Sequence, residues 1–133
     1  MPASNEEGVL NLSDIRRLYV RKKAGFRQGE ESLTAELKEV LGDRIEGCGI
    51  YHRYDVDGLS GEDYEKAVST VFSEPPVDSV ETQLPKGDLV IGVEFLPGQY
   101  DQRADSAEQC LAIVTGKDGA RVRCALVYTF DGH

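Results

Sequence analysis

Two short stretches of this chain have the same pattern and lie 74 residues apart. Residues 54–58 read YDVDG and residues 128–132 read YTFDG, so both stretches end in an Asp-Gly pair. Further positions correspond on the same offset, namely Ile50 with Cys124 and His52 with Leu126. Because a period this long occurs only twice, it predicts a duplicated module rather than a solenoid of many repeats.

Hydrophobic periodicity predicts the same order of elements in each copy, a strand, a glycine turn, a helix and a second strand. The predicted strands are residues 15–21, 50–56, 89–95 and 122–130, with a short edge strand at 77–80. Helical stripes are predicted over residues 33–41, 64–72 and 107–114. The fold class is therefore α+β, with duplicated strand-helix-strand-helix units that form an antiparallel sheet covered by helices.

The second copy is shorter than the first at its carboxyl end. A helix is predicted after Asp57-Gly58, preceded by a capping box of Ser60 and Asp63, whereas the sequence stops one residue after Asp131-Gly132. The repeat therefore predicts a truncated second copy, with a fourth helix beyond His133 in a longer protein.

Length and charge indicate one globular domain. Among the 133 residues, 1–14 read as a flexible lead and 15–133 as the domain, with repeat one at about 15–81 and repeat two at about 88–133. The formal net charge of -9 argues against nucleic acid or a membrane as partner, because both attract clustered positive charge. The acidic start has no long apolar run, so a cytoplasmic location is expected.

Five segments carry a resemblance to a known family. They are RRLYVRKKAGF, IYHRYDVDGLS, EDYEKA, TVFSEPPVD and, above all, VEFLPGQYDQRADSAEQC at residues 93–110. Together they resemble the N-terminal domain of large-type phosphoribosylformylglycinamidine synthases, from about residue 15 to the end. In that family the domain is similar to a fused pair of small PurS-type subunits, and the family chain continues further.

The resemblance implies a role in purine biosynthesis. The family enzyme is an ATP-dependent amidoligase that converts formylglycinamide ribonucleotide and glutamine to formylglycinamidine ribonucleotide. The glutaminase cysteine, the ATP site and its magnesium belong to later domains, so no cofactor is expected within these residues. The N-terminal domain is implied to be a non-catalytic scaffold that docks the glutaminase and synthetase domains and supports ammonia transfer.

The cysteines and the internal histidine favour packing over chemistry. Cys110 lies on an apolar helical stripe and Cys124 shares a strand face with Val122, so both are predicted in the core. Cys48, between two glycines, is left open. His52 alternates with apolar residues and is predicted to be structural. We therefore predict no catalytic, cofactor-binding or metal-binding residue.

The strongest candidate site is the polar stretch PGQYDQRAD at residues 97–105. Asp101 could cap a helix that starts near Gln102, or Asp105 could form a capping box with Glu108. Such capping explains one aspartate and leaves the other polar side chains for an inter-domain contact. The candidate interface residues are Gln99, Asp101, Gln102, Arg103, Asp105, Arg53, Lys22 and Lys23, the two lysines coming from a basic run at residues 16–27.

Two other functions remain open from the sequence. A duplicated βαβ module is also compatible with a small-molecule-binding regulatory domain, which holds its ligand between the repeats. A self-sufficient small enzyme is the other possibility, and the lack of a recognisable nucleophile–base pair disfavours it.

Overall fold

The computed structural model describes residues 15–133, and the flexible lead expected at 1–14 lies outside the described residues. Five strands are present, β1 (Arg16–Lys22), β2 (Ile45–Asp57), β3 (Asp78–Glu81), β4 (Leu89–Glu94) and β5 (Arg121–Gly132). Three helices accompany them, α1 (Gln28–Leu41), α2 (Gly61–Ala67, continued as a π-helical turn through Val68–Phe72) and α3 (Gln102–Thr115). The α+β class is confirmed. No helix among residues 15–133 is long and apolar enough to cross a bilayer.

The five strands form one antiparallel sheet in the order β3-β1-β2-β5-β4. Its centre is the long pairing of β2 with β5, which joins twelve residue pairs. In this register His52 lies opposite Leu126, Tyr54 opposite Cys124 and Ile50 opposite Tyr128. His52 therefore pairs with the residue 74 positions further along the chain.

The helices begin and end at residues suited to those positions. The Ser60 side chain accepts a hydrogen bond from the backbone N–H of Asp63 at 3.1 Å, which caps α2 as predicted. Asp101 caps α3 in the same way, with Ala104 N–H at 2.9 Å, so the first of the two capping alternatives is the observed one. Gly42 follows α1 with a φ of 63°, a backbone conformation that favours glycine.

The main core lies between the helices and one face of the sheet, here called the helical face. Leu18 and Val56 contribute from the strands, Ala67 from α2 and Leu111 from α3, and each is at most 1% exposed. Complete burial of a leucine or valine side chain stabilises the fold by about 2 kcal/mol. Because these residues come from both halves of the chain, this core joins elements of the two halves, although α1 and β4 contribute none of its buried residues.

The opposite face of the sheet, here called the reverse face, is covered without a helix. Its buried centre is a small cluster of Tyr19, Tyr51 and Val127. Residues 82–88 run from β3 at one edge to β4 at the other, and a Cβ at Gly87 would lie 3.0 Å from Thr129 Cβ. The linker therefore crosses the reverse face and contacts it closely.

One expectation about burial is wrong. Cys110 is exposed rather than in the core, because α3 turns Ala104, Ala107 and Leu111 toward α2 and the sheet. The stripe of α1 is also poorly covered, and Val40 is 82% exposed. Cys124 is buried as predicted.

Candidate functional site: the loop before α3 and the cleft beside His52

The loop that leads into α3 is organised by its own polar side chains. Leu96 N–H donates to Gln99 Oε1 at 2.6 Å, and Gln99 N–H donates to the Leu96 carbonyl at 3.0 Å. Gly98 has a φ of 87° after Pro97, the combination typical of a type II turn. The Gln99 side chain is thus part of the turn.

Asp101 joins α3 to the sheet. Its Oδ1 accepts the Ala104 N–H, and its Oδ2 accepts the backbone N–H of Cys124 at 3.1 Å. Since β4 pairs with β5 only as far as Ala125, this carboxylate satisfies the first N–H of β5 that the ladder leaves free. These two hydrogen bonds give Asp101 a structural role that needs no partner domain.

Asp105 is likewise engaged within its own helix. Its Oδ2 accepts from the Tyr100 hydroxyl at 3.0 Å and from Gln109 Nε2 at 2.9 Å. These contacts hold Tyr100 against the first turn of α3. Both aspartates of the stretch therefore have hydrogen-bond partners within the chain.

Arg103 and Gln102 are two further exposed residues of this stretch, in which Gln99 and Tyr100 are exposed as well. Arg103 Nη1 donates to the Tyr54 hydroxyl at 3.2 Å, which places the guanidinium above β2. Both side chains are exposed, and no ion pair within residues 15–133 includes Arg103. The positive charge of Arg103 is therefore available to a carboxylate or phosphate of a partner.

The other candidate residues do not form one site with this loop. Lys22 Nζ lies 3.0 Å from Asp78 Oδ1 at the β3 edge, on the helical face. Arg53 is on the reverse face, where its Nη2 lies 3.1 Å from Glu94 Oε1. Lys23 is exposed, and its backbone N–H donates to the Val77 carbonyl at 2.7 Å. Arg103 and Lys22 do line one common cleft, whereas Arg53 faces away from it.

Two clefts flank His52 on the helical face. One has a volume of about 230 Å³ and includes Lys22, Phe72 and Arg103 in its wall. The other has a volume of about 410 Å³, is mainly apolar, and is lined by residues of β4, β5 and the α3 loop, including Gln99 and Arg103. Arg103 and His52 belong to both walls, so the two clefts adjoin at the centre of the sheet.

Burial and charge keep the titratable groups of this centre neutral. Burial, followed by the positive charges of Arg103 and Lys22, lowers the pKa of His52 to about 4, while Asp78 opposes the shift. Burial, with the nearby Asp101 carboxylate, raises the pKa of the Cys124 thiol to about 12. A neutral imidazole and a protonated thiol are the forms expected at neutral pH, and a protonated thiol is a weak nucleophile.

Sequence reasoning missed Glu30 and Tyr54. Glu30 accepts from Arg21 Nε and Nη2 at 2.8 and 2.7 Å and from the Ile50 N–H at 3.1 Å. Burial alone would raise the pKa of Glu30, but the hydrogen bonds from Arg21 and Ile50 lower it. An acid in the first turn of α1, nine residues after Arg21, was the available signal. Tyr54 gave no such signal, since only the folded chain brings Arg103 to its hydroxyl.

Comparisons with protein-family models, with curated proteins and with solved structures find no match for this chain. Among residues 15–133 there is also no group of three or more histidine, cysteine or acidic residues placed to hold a metal ion.

Proposed function

We propose that this chain is a non-catalytic scaffold domain built from two copies of one PurS-like unit. The observation that carries the proposal is the register of β2 and β5, in which His52 lies opposite its own repeat partner Leu126. Two copies related by a two-fold axis would meet in this way, because a residue near the axis faces its counterpart.

A second correspondence supports the same architecture. At the start of α1 the Glu30 carboxylate accepts the backbone N–H of Ile50, and at the start of α3 the Asp101 carboxylate accepts that of Cys124. Ile50 and Cys124 occupy the same repeat position at the offset of 74. In each half, a carboxylate at the start of the long helix therefore accepts a backbone N–H of the central strand, β2 or β5. The bond lies just beyond the last residue that pairs with the neighbouring strand, β1 or β4.

The particular protein proposed is the N-terminal domain of a large-type phosphoribosylformylglycinamidine synthase, on the strength of the resemblance over residues 93–110. Its partners would be the glutaminase and synthetase domains of that cytoplasmic enzyme. The domain would dock the two and support ammonia transfer between them. The protonated thiol expected for Cys124 accords with a structural role for that residue.

The contact with a partner domain would be made by Arg103 and Gln102, together with Lys23. These side chains are exposed, whereas Gln99, Asp101 and Asp105 are occupied by contacts within the chain. Removing a charge-assisted contact of this kind typically costs about 1.5–3 kcal/mol. This loss corresponds to roughly tenfold or more in a coupling constant.

The test is made in the full-length enzyme that contains this chain. Arg103→Gln with Gln102→Ala should lower glutamine-dependent product formation roughly tenfold and leave ammonia-dependent formation unchanged. Arg123→Gln, which removes an exposed charge on the reverse face, is the control and should preserve both activities. Equal glutamine coupling in all three proteins would refute the interface assignment.

A broader test removes residues 1–133 and adds the domain back as a separate chain. Restored use of glutamine, with ammonia-dependent activity that never required the domain, supports docking or channelling. Full activity with glutamine in the truncated enzyme would rule out the scaffold role.

A regulatory small-molecule domain is the second candidate, favoured by the adjoining clefts of about 230 and 410 Å³ between the two halves. A ligand present at 100 times its dissociation constant stabilises the folded state by about 2.7 kcal/mol. Thermal unfolding in the presence of purine nucleotides and amino acids would therefore detect such a ligand, and an unchanged melting temperature with all of them would dismiss this candidate.

A further inference from the structure

Part of the helical face is apolar, and no helix within residues 15–133 lies above it. On β4, Leu89, Ile91 and Val93 are 55%, 43% and 52% exposed, and they point to the same face as Tyr128 and Phe130 of β5. We call these five residues the apolar trough. Contiguous exposed apolar surface of this kind commonly marks an interaction site.

The corresponding part of the first half is fully covered. Leu18 of β1 pairs with Tyr54 of β2, and Ile91 of β4 pairs with Tyr128 of β5. Because Tyr54 and Tyr128 are 74 residues apart, Leu18 and Ile91 occupy matching positions in the two halves. There α2 covers the strands, and the ring centroids of Phe72 and Tyr54 are 4.9 Å apart. Leu18 is 0% exposed as a result.

The two long helices show the same difference. Ala107 and Leu111 of α3 are buried in the core cluster that includes Tyr64 and Ala67 of α2. Leu33 and Leu37 of α1 are the residues 74 positions earlier, and they remain partly exposed. Among the helices of the described chain, none therefore packs against the side of α1 that corresponds to the α2-binding side of α3.

We propose that the apolar trough is the docking site of an amphipathic helix, contributed by polypeptide outside these 133 residues and similar in pattern to Gly61–Phe72. The dimensions agree, because a helix of about 12 residues is ~18 Å long and a strand of about six residues is ~20 Å long. An aromatic side chain at the end of this helix would contact Tyr128 as Phe72 contacts Tyr54. The inference rests on the two-copy architecture and is independent of the enzyme named above.

Charge further defines the occupant. Lys117, just after α3, pairs with Asp63 in the first turn of α2, with Nζ and Oδ2 3.3 Å apart. The residue 74 positions before Lys117 is Asp43, just after α1. The docked helix therefore carries a basic residue where α2 has Asp63, which distinguishes it from α2 itself.

The primary test uses the complete chain and a labelled synthetic peptide of residues 59–73 carrying Asp63→Lys. Saturable binding is expected by fluorescence anisotropy, weakened at least tenfold by Ile91→Glu in the protein. Ile113→Glu, on an exposed part of α3 away from the trough, should leave binding unchanged. Replacing Asp43 by Lys should reverse the preference between this peptide and the unmodified one. Loss of binding with Ile113→Glu equal to that with Ile91→Glu, or no effect of Asp43→Lys on the preference, would overturn the assignment.

A second measurement deals with the low helicity of a short peptide in water. Residues 59–73 carrying Asp63→Lys are fused directly after Gly132, the position that follows the second Asp-Gly pair. This fusion should melt about 5 °C or more above a matched fusion that also carries Tyr64→Asp and Phe72→Asp. Equal melting temperatures of the two fusions would overturn the proposal. A dimer of the unmodified chain that Ile91→Glu dissociates, with no peptide binding, would assign the trough to a second copy instead.

Discussion

The half of the helical face formed by β1 and β2 and the half formed by β4 and β5 have similar strand patterns and different surroundings. Leu18 is completely buried beneath α2, whereas Ile91, in the matching register position, is 43% exposed. Alternation of apolar residues therefore predicts which face of a strand is apolar. Whether that face is buried depends on whether a helix packs against it.

The largest expected difference between the halves is in core truncation. Leu18→Ala should lower the free energy of unfolding by about 3–4 kcal/mol, because it leaves a cavity between β1 and α2. Ile91→Ala removes exposed methyl groups and should cost about 1 kcal/mol or less. Urea unfolding of both variants measures the difference, and equal losses would contradict the contrast between a covered and an uncovered half.

The acids that begin α1 and α3 should contribute next. Glu30→Ala leaves Arg21 and the Ile50 N–H without their partner and should cost about 2–3 kcal/mol. Asp101→Ala removes a helix cap and the acceptor for Cys124 N–H, a loss of about 2 kcal/mol. Chemical denaturation of the two variants is the measurement, with Glu36→Ala on the exposed side of α1 as control. If neither variant loses more unfolding free energy than Glu36→Ala, the hydrogen bonds from Glu30 and Asp101 to the strands do not stabilise the fold.

The smallest effect concerns the pair at the centre of the sheet, His52 and Leu126. Because the His52 pKa is lowered to about 4 in the folded protein, the unfolded chain binds the additional proton between pH 6.5 and about 4. Stability should therefore fall as pH decreases through that interval. Linkage sets a ceiling of about 3 kcal/mol, and solvent screening of the half-buried ring reduces the effect to about 1–2 kcal/mol.

His52→Leu places leucine on both sides of the central pair. This variant should lose the fall in unfolding free energy that His52 causes between pH 6.5 and about 4. Unfolding free energies of both proteins across the interval are compared, so that carboxylates common to the two cancel. Parallel pH profiles would mean that the His52 ring titrates normally in the folded state.

Most of the fold could be predicted from the sequence, because local signals and the tertiary structure agree. The strand at residues 50–56, the Ser60 cap and the short edge strand near residue 78 each follow from periodicity or side-chain chemistry. The bounds were less predictable. β2 begins at Ile45, five residues before the predicted strand, since pairing with β5 recruits the glycine-containing segment that has little strand propensity of its own.

The candidate site could be predicted only in part. The position of the polar loop before α3 was evident, but which of its side chains are already engaged depends on residues far away in sequence. Asp101 binds the Cys124 N–H across 23 residues and Arg103 the Tyr54 hydroxyl across 49. Cys110 was misplaced because a helical stripe fixes a face to within about one residue, and its neighbours Ala107 and Leu111 take the buried position.

The linker over the reverse face has a consequence for how the two halves can differ. When two separate identical chains associate about a two-fold axis, a substitution near the axis is present twice and must suit its own copy. Residues 82–88 place both halves in one chain, so each partner across the central pairing can change alone. Imidazole opposite isobutyl, at His52 and Leu126, is an arrangement that a symmetric pair of identical chains would not allow. The two clefts that adjoin at His52 are thus free to acquire separate roles.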